Sequence, residues 1–274
     1  MFVTKDIVFL ELHKTGGTHI VALIEKYLGG YRSGKHNRLP KEFRDRFVFG
    51  SVRNPWDWYV SLWAFGCLGK GSVYNQTSSR LDLGYYYREL NKEMGFERFQ
   101  FSYAYEQAIN DLIRKDKAVW GWCYEDVQDP KRFRVWLQRV LDPRNALDIR
   151  EGFGFSPLAN FAGLQTYRFF KLFSNANLYR SSAITDTDLI AIWNKKKLVD
   201  YIVRNESLEE GFIEATSMAN CGLSRQAIDE ILSRKNQRTN TSVRNDKEYY
   251  YDDASIELIN NKEAFLIKLF DYSF

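Results

Sequence analysis

The 274-residue sequence has little cysteine and little histidine, three of each. Cys67, Cys123 and Cys221 stand far apart and form no CxxC pair, which excludes a metal knuckle and a disulfide framework. They read as free buried thiols in a reducing compartment. No apolar run is long enough to span a membrane. The stretch holding Lys5, Asp6 and Glu11 has no small-residue cleavage site, which argues against a signal peptide or an anchor. A soluble, cytoplasmic protein is expected, so Asn75-Gln76-Thr77, Asn205-Glu206-Ser207 and Asn240-Thr241-Ser242 read as chance matches to the glycosylation triplet. Internal repeats, low-complexity tracts and flexible linkers are also missing, which favours one domain over the whole chain. Nor is there a strong excess of one charge. The 39 basic and 35 acidic residues leave +4, which suits an anionic ligand but is too mild to argue for nucleic acid.

What the sequence does hold is a 45% hydrophobic content, enough for a sizeable core, and many aromatics at 16%. Its organising stretch is Ile7 to Thr18. Ile7, Val8, Phe9, Leu10 and Leu12 read as a strand buried on both faces, as inside a parallel sheet. The next residues read as an anion cradle. Gly16 and Gly17 permit close backbone approach, Thr18 opens a helix whose free N–H groups favour an anion, and Lys14 adds a mobile cation. Ile20, Leu23, Ile24, Tyr27 and Leu28 continue at helical spacing until Gly29-Gly30 stops the helix. The order Lys14, Thr15, Gly16, Gly17, Thr18 is not the common phosphate loop, where Gly precedes Lys and a Ser or Thr follows to hold magnesium. It argues for an anion held without a metal.

A second unit of the same kind follows a basic loop at 31–45. Arg46 to Val52 is β-rich and runs into Arg53-Asn54-Pro55, where Asn54 can cap and Pro55 can take the first helical position. Trp56, Tyr59, Val60 and Trp63 share one face of the helix beyond, and Asp57 and Ser61 share another. Arg53 and Ser61 offer a forked cation and a hydroxyl to a phosphate. Two anion sites at neighbouring strand ends suit a nucleotide with phosphates at both ends of its ribose. Residues 66–177 read as a helical insertion covering the ligand. Next come a helix at 186–197, a strand at 198–203, a helix from Ser207 with a capping box ending in Glu210, a shorter helix after Ser224, a polar loop from Asn236 to Arg244 and a closing helix over 254–270. The expected fold is α/β, with a central parallel sheet.

His13-Lys14-Thr15-Gly16-Gly17-Thr18 resembles the 5′-phosphosulfate loop of sulfotransferases that use 3′-phosphoadenosine-5′-phosphosulfate (PAPS). Val52-Arg53-Asn54-Pro55-Trp56-Asp57 through Ser61 resembles their 3′-phosphate motif. The segment from Val199 to Leu208, the polar loop and the closing Leu269-Phe270-Asp271-Tyr272-Ser273-Phe274 are similar too, and the branch acting on carbohydrates is the nearer one. The resemblance is weak across the insertion, and position 13 is His where many relatives have Pro. It implies a P-loop-like three-layer fold and sulfuryl transfer from PAPS to an acceptor hydroxyl, with no metal. It further implies that Ser242 and Arg244 close over the nucleotide.

Sulfuryl transfer needs in-line attack, a base for the acceptor proton and positive charge on the leaving oxygen. Lys14 and the N–H groups of Gly16, Gly17 and Thr18 supply the charge. Among the three histidines, His36 stands where the carbohydrate-acting relatives place a histidine base, with Glu11 in reserve; His13 reads as shaping the loop and His19 as lying on the helix flank. Tyr85-Tyr86-Tyr87, Trp120 and Trp122 either stack on an acceptor sugar or belong to the core. The competing readings are a P-loop small-molecule kinase and a non-catalytic nucleotide-binding module.

Overall fold

The computed structural model describes residues 1–78, 100–179, 185–233 and 244–274, with backbone alone for 100–104. Tyr85 to Tyr87, Ser242 and the polar loop before Arg244 lie outside the described residues. The fold is α/β, around a five-stranded mixed sheet. β1 is Phe2–Val3, β2 Ile7–Leu10, β3 Tyr31–Arg32, β4 Phe47–Val52 and β5 Tyr201–Arg204, in the order β3-β1-β2-β4-β5.

β2, β4 and β5 are parallel, and β2 is buried on both faces along its whole length, as its unbroken apolar run requires. The sheet departs from the all-parallel expectation at one edge, where β1 pairs antiparallel with β2 and β3 antiparallel with β1. A tight turn causes the reversal. Thr4 donates its N–H to the Ile7 carbonyl at 2.9 Å, and its hydroxyl oxygen accepts from the Ile7 N–H at 2.9 Å. Strands of two residues lie below what an alternation pattern can reveal.

Three other boundaries move for local reasons. β5 begins at Tyr201, not at residue 198, because the Leu198 N–H is taken by the Phe173 carbonyl at 2.8 Å and Lys197 bridges Ser174. The Ser207 capping box does not form: Asn205–Ser207 is a 3₁₀ turn, and the helix Leu208–Met218 begins with no side-chain cap. The closing helix is two, Asp253–Lys262 and Ala264–Phe270, broken where Glu263 turns inward.

Helix α1, Gly17–Tyr27, follows β2, and helix α2, Pro55–Cys67, follows β4. At the second junction the Asn54 side chain accepts from the Trp56 N–H and Pro55 opens the helix. α2 is buried almost all round, including Trp56, Trp58, Tyr59 and Trp63. The helices Ser72–Ser78, Gln100–Ile109, Lys117–Cys123, Pro130–Leu141 and Leu164–Phe173 belong to the segment read as an insertion. Apolar residues of all of them but Gln100–Ile109 join those of β2 and β4 in one core. Trp120 is fully buried and donates to Asp148 Oδ2 at 2.7 Å, so it is core and not a sugar platform. Trp122 lies under the Arg132 guanidinium at 4.6 Å. Among the described residues no helix is long and apolar enough to cross a membrane.

Candidate functional site

β2 and β4 pair in parallel with Leu10 opposite Gly50, so the turns that leave them emerge at the same sheet edge. Side chains tie the two turns together. Thr15 donates its hydroxyl to the Leu12 carbonyl at 2.9 Å and accepts from the Ser51 hydroxyl at 2.7 Å. Thr15 is fully buried, so its expected part in binding falls to its backbone. Trp58 Nε1 on α2 donates to the His13 carbonyl at 2.6 Å.

Left-handed backbone shapes the first turn, at Lys14 (φ 62°) and Gly16 (φ 81°). A non-glycine residue held there marks a loop whose surroundings over-determine it. Gly16 has a second constraint, since a Cβ would come within 2.5 Å of the Leu208 side chain. At Gly17 a Cβ would meet Glu11 Cγ at 2.5 Å. Gly16 caps α1 without any side chain, so no side-chain cap takes the N–H groups of the first turn at Gly17 and Thr18.

Beside that helix end the cations gather. Lys14 Nζ lies 4.1 Å over the Phe65 ring, and burial pulls its ammonium down to about 8, with Arg53 and Arg244 adding to the effect. Arg53 Nη2 and Arg244 Nη2 approach the same carboxylate oxygen, Asp57 Oδ1, at 3.6 and 3.8 Å. Arg244 Nη1 is buried and, among the described residues, has no hydrogen-bond partner. Ser61, one turn after Asp57 on α2, is buried. Lys14, Arg53 and Arg244, expected from sequence to bind one ligand, are therefore close enough to repel one another, and Asp57 lies near both arginines. Cations held this close to one another favour an anion among them.

On the other side of the turn each carboxylate is held by an arginine. Arg32 Nη1 donates to Glu11 Oε2 at 2.7 Å, and Arg168 holds Glu151 through Nε at 2.9 Å and Nη2 at 2.6 Å. Burial raises the Glu151 carboxyl's proton affinity, but the charge and hydrogen bonds of Arg168, with Lys171 adding to them, outweigh it and hold the group well below the usual carboxylate range. His36 and His13 stack here, ring centroids 3.4 Å apart. Burial lowers the proton affinity of both, well below the ordinary histidine value for His13. Glu11 is bound as an ion pair, and His19 lies 2.9 Å from Glu209 Oε1 on the flank of α1.

Sequence reasoning missed Arg168, Glu151 and Gln165. Arg168 and Gln165 sit on the aromatic helix Leu164–Phe173, and Gln165 Nε2 donates to the Arg53 carbonyl at 2.8 Å. A charged and an amide residue inside a helix that is otherwise core were the available signal. Glu151 sits at φ 54°, a position no local pattern announces. Among the described residues no group of three or more His, Cys, Asp or Glu side chains is placed to hold a metal ion. No protein-family model, curated protein or solved structure matches the chain.

Proposed function

We propose that the chain is a cytoplasmic PAPS-dependent sulfotransferase with a P-loop-like three-layer fold, acting on a hydroxyl of a carbohydrate acceptor by in-line displacement with a histidine base. The observation that carries this reading is the gathering of Lys14, Arg53 and Arg244 beside one helix N-terminus that no side chain caps. Such an excess of charge suits an anion carrying phosphates at two positions.

When bound, the nucleotide supplies an activated sulfuryl group. Lys14 and the N–H groups of Gly17 and Thr18 take the 5′ side and stabilise the charge that develops on the leaving oxygen. Arg53 and Ser61 take the 3′-phosphate, with Arg244 closing over it, and Gln165 holds the Arg53 backbone in place. His36 accepts the acceptor proton. The segment at 66–177 forms the acceptor side, through the helix that carries Arg168.

Calorimetry with adenosine 3′,5′-bisphosphate and, separately, with ATP and magnesium tests this reading. Binding of the bisphosphate in the presence of a chelator is expected. Tight binding of ATP with magnesium alone would point to a small-molecule kinase. Normal nucleotide binding with no labelled transfer from PAPS across a broad acceptor panel, and no effect of His36→Ala, would point to a binding module.

A further inference from the structure

The stacked histidines extend the sulfotransferase reading, on which this inference rests, to the fate of the proton. The two imidazoles lie face to face, ring centroids 3.4 Å apart and planes 14° from parallel. Each is held from a different side. His36 Nδ1 is 2.7 Å from the Glu11 carbonyl oxygen. A carbonyl only accepts, so Nδ1 carries the hydrogen and Nε2 of the neutral ring carries the lone pair. His13 is held through its main chain, its carbonyl accepting from Trp58 Nε1 at 2.6 Å. Its Nδ1 is buried and, among the described residues, has no hydrogen-bond partner.

The charged groups facing the pair come from several elements. Glu11 follows β2, the amino group of Met1 precedes β1, Arg168 and Lys171 lie on the helix Leu164–Phe173, and Glu151 precedes that helix. Both carboxylates are already engaged, Glu11 by Arg32 and Glu151 by Arg168. Neither is left to neutralise a second imidazolium. Two positive rings face to face at this distance repel strongly in a half-buried site.

We propose that His13 and His36 hold one proton between them: Nε2 of His36 receives it from the acceptor hydroxyl, and His13 is the positioning residue that keeps that ring oriented, screened and unprotonated beforehand. The acceptor O–H bond breaks as its proton passes to Nε2, and the oxygen's electron pair forms the new O–S bond. The old S–O bond breaks, and its pair leaves on the 5′-phosphate of the nucleotide. The imidazolium then returns its proton to solvent. Burial supports this arrangement by lowering the proton affinity of both rings, Arg168 adding to it at His13 and the Glu11 carbonyl opposing it at His36.

An ¹H–¹⁵N NMR titration of the histidine rings in the full chain, free of substrate, tests the pairing. In the native protein both rings should respond in one shared step of proton uptake. In His13→Ala the His36 midpoint should rise by about 0.5 to 1 pH unit as the ring loses its cover. In His13→Phe, which keeps a flat ring over His36, it should stay at the native value, and the acid limb of the transfer rate should follow the same order. Where His13→Ala melts early, His13→Gln replaces it. Independent protonation of the two rings in the native protein, or an unmoved His36 midpoint in a folded His13→Ala, overturns the proposal. Failure of the native protein to bind adenosine 3′,5′-bisphosphate overturns the sulfotransferase reading and leaves the titration result standing.

Discussion

The turn at His13-Lys14 divides the site into two sides that treat charge in opposite ways. On the Lys14 side, Asp57 is shared by Arg53 and Arg244 while Lys14 is pulled down to about 8. On the His13 side, Arg32 and Arg168 each hold a carboxylate at bonding distance, and the two histidines between them are biased towards neutrality. A side with clustered cations lowers its free energy by binding an anion; a side whose carboxylates are already paired and whose rings are neutral can accept a proton. Adjacent residues of one turn thus face different chemistry: Lys14, in the left-handed region, sets its Nζ over the Phe65 ring, while His13 stacks on His36.

Removing the centre of the Lys14 side should have the largest effect. Lys14→Ala is expected to lower sulfuryl transfer by roughly 1,000-fold or more while far-UV circular dichroism stays native. Residual transfer within tenfold of native would break the comparison. On the His13 side, His36→Ala should lower kcat by about 100- to 1,000-fold with little change in affinity for adenosine 3′,5′-bisphosphate. An equal loss of affinity would show that the two sides are not separate.

Smaller effects sharpen the same contrast. Arg53→Ala and Arg244→Ala should each weaken bisphosphate binding by about 10- to 100-fold, the loss of charge-assisted hydrogen bonds worth about 1.5–3 kcal/mol. The same calorimetry at rising pH should show affinity falling above about 8, where the free Lys14 ammonium gives up its proton. A flat profile between pH 7 and 9 would mean that Lys14 is not part of the anion site.

The smallest expected effect concerns Glu263, which accepts at 3.1 Å from the N–H of Gln165, the residue that holds the Arg53 carbonyl. Glu263 also accepts from Tyr59 Oη at 2.5 Å and from the Thr166 N–H and hydroxyl at 2.9 and 2.6 Å. Burial pushes its carboxyl up to about 7 against those bonds. The folded protein then keeps a proton that the unfolded chain releases near 4.3, so stability should decline as pH rises from about 4.5 to 7. The decline should be about 1–3 kcal/mol in urea unfolding and should flatten in Glu263→Gln. Equal slopes for the two proteins would remove Glu263 from the support of Arg53.

Much of the Lys14 side was legible in the sequence, since its residues are neighbours along the chain. The run of buried residues at 7–10, the glycines after Lys14 and the Asn54-Pro55 helix start are local requirements, and each appears where it was expected. The two-residue strands β1 and β3, the late start of β5 and the break at Glu263 were not legible. Each depends on a partner distant in sequence, such as the Phe173 carbonyl for Leu198 or Tyr59 for Glu263.

The sequence by itself determined the two strand-turn-helix units and the conformations their turns demand, because backbone freedom, caps and apolar period act over a few residues. Only the tertiary structure decided which charges share a carboxylate and which histidine lies against another. Parallel register brought Arg53 to Lys14, and the helix Leu164–Phe173 brought Arg168 and Gln165 to the same edge. Electrostatic balance is set by distance through space and by burial, and neither can be read along the chain.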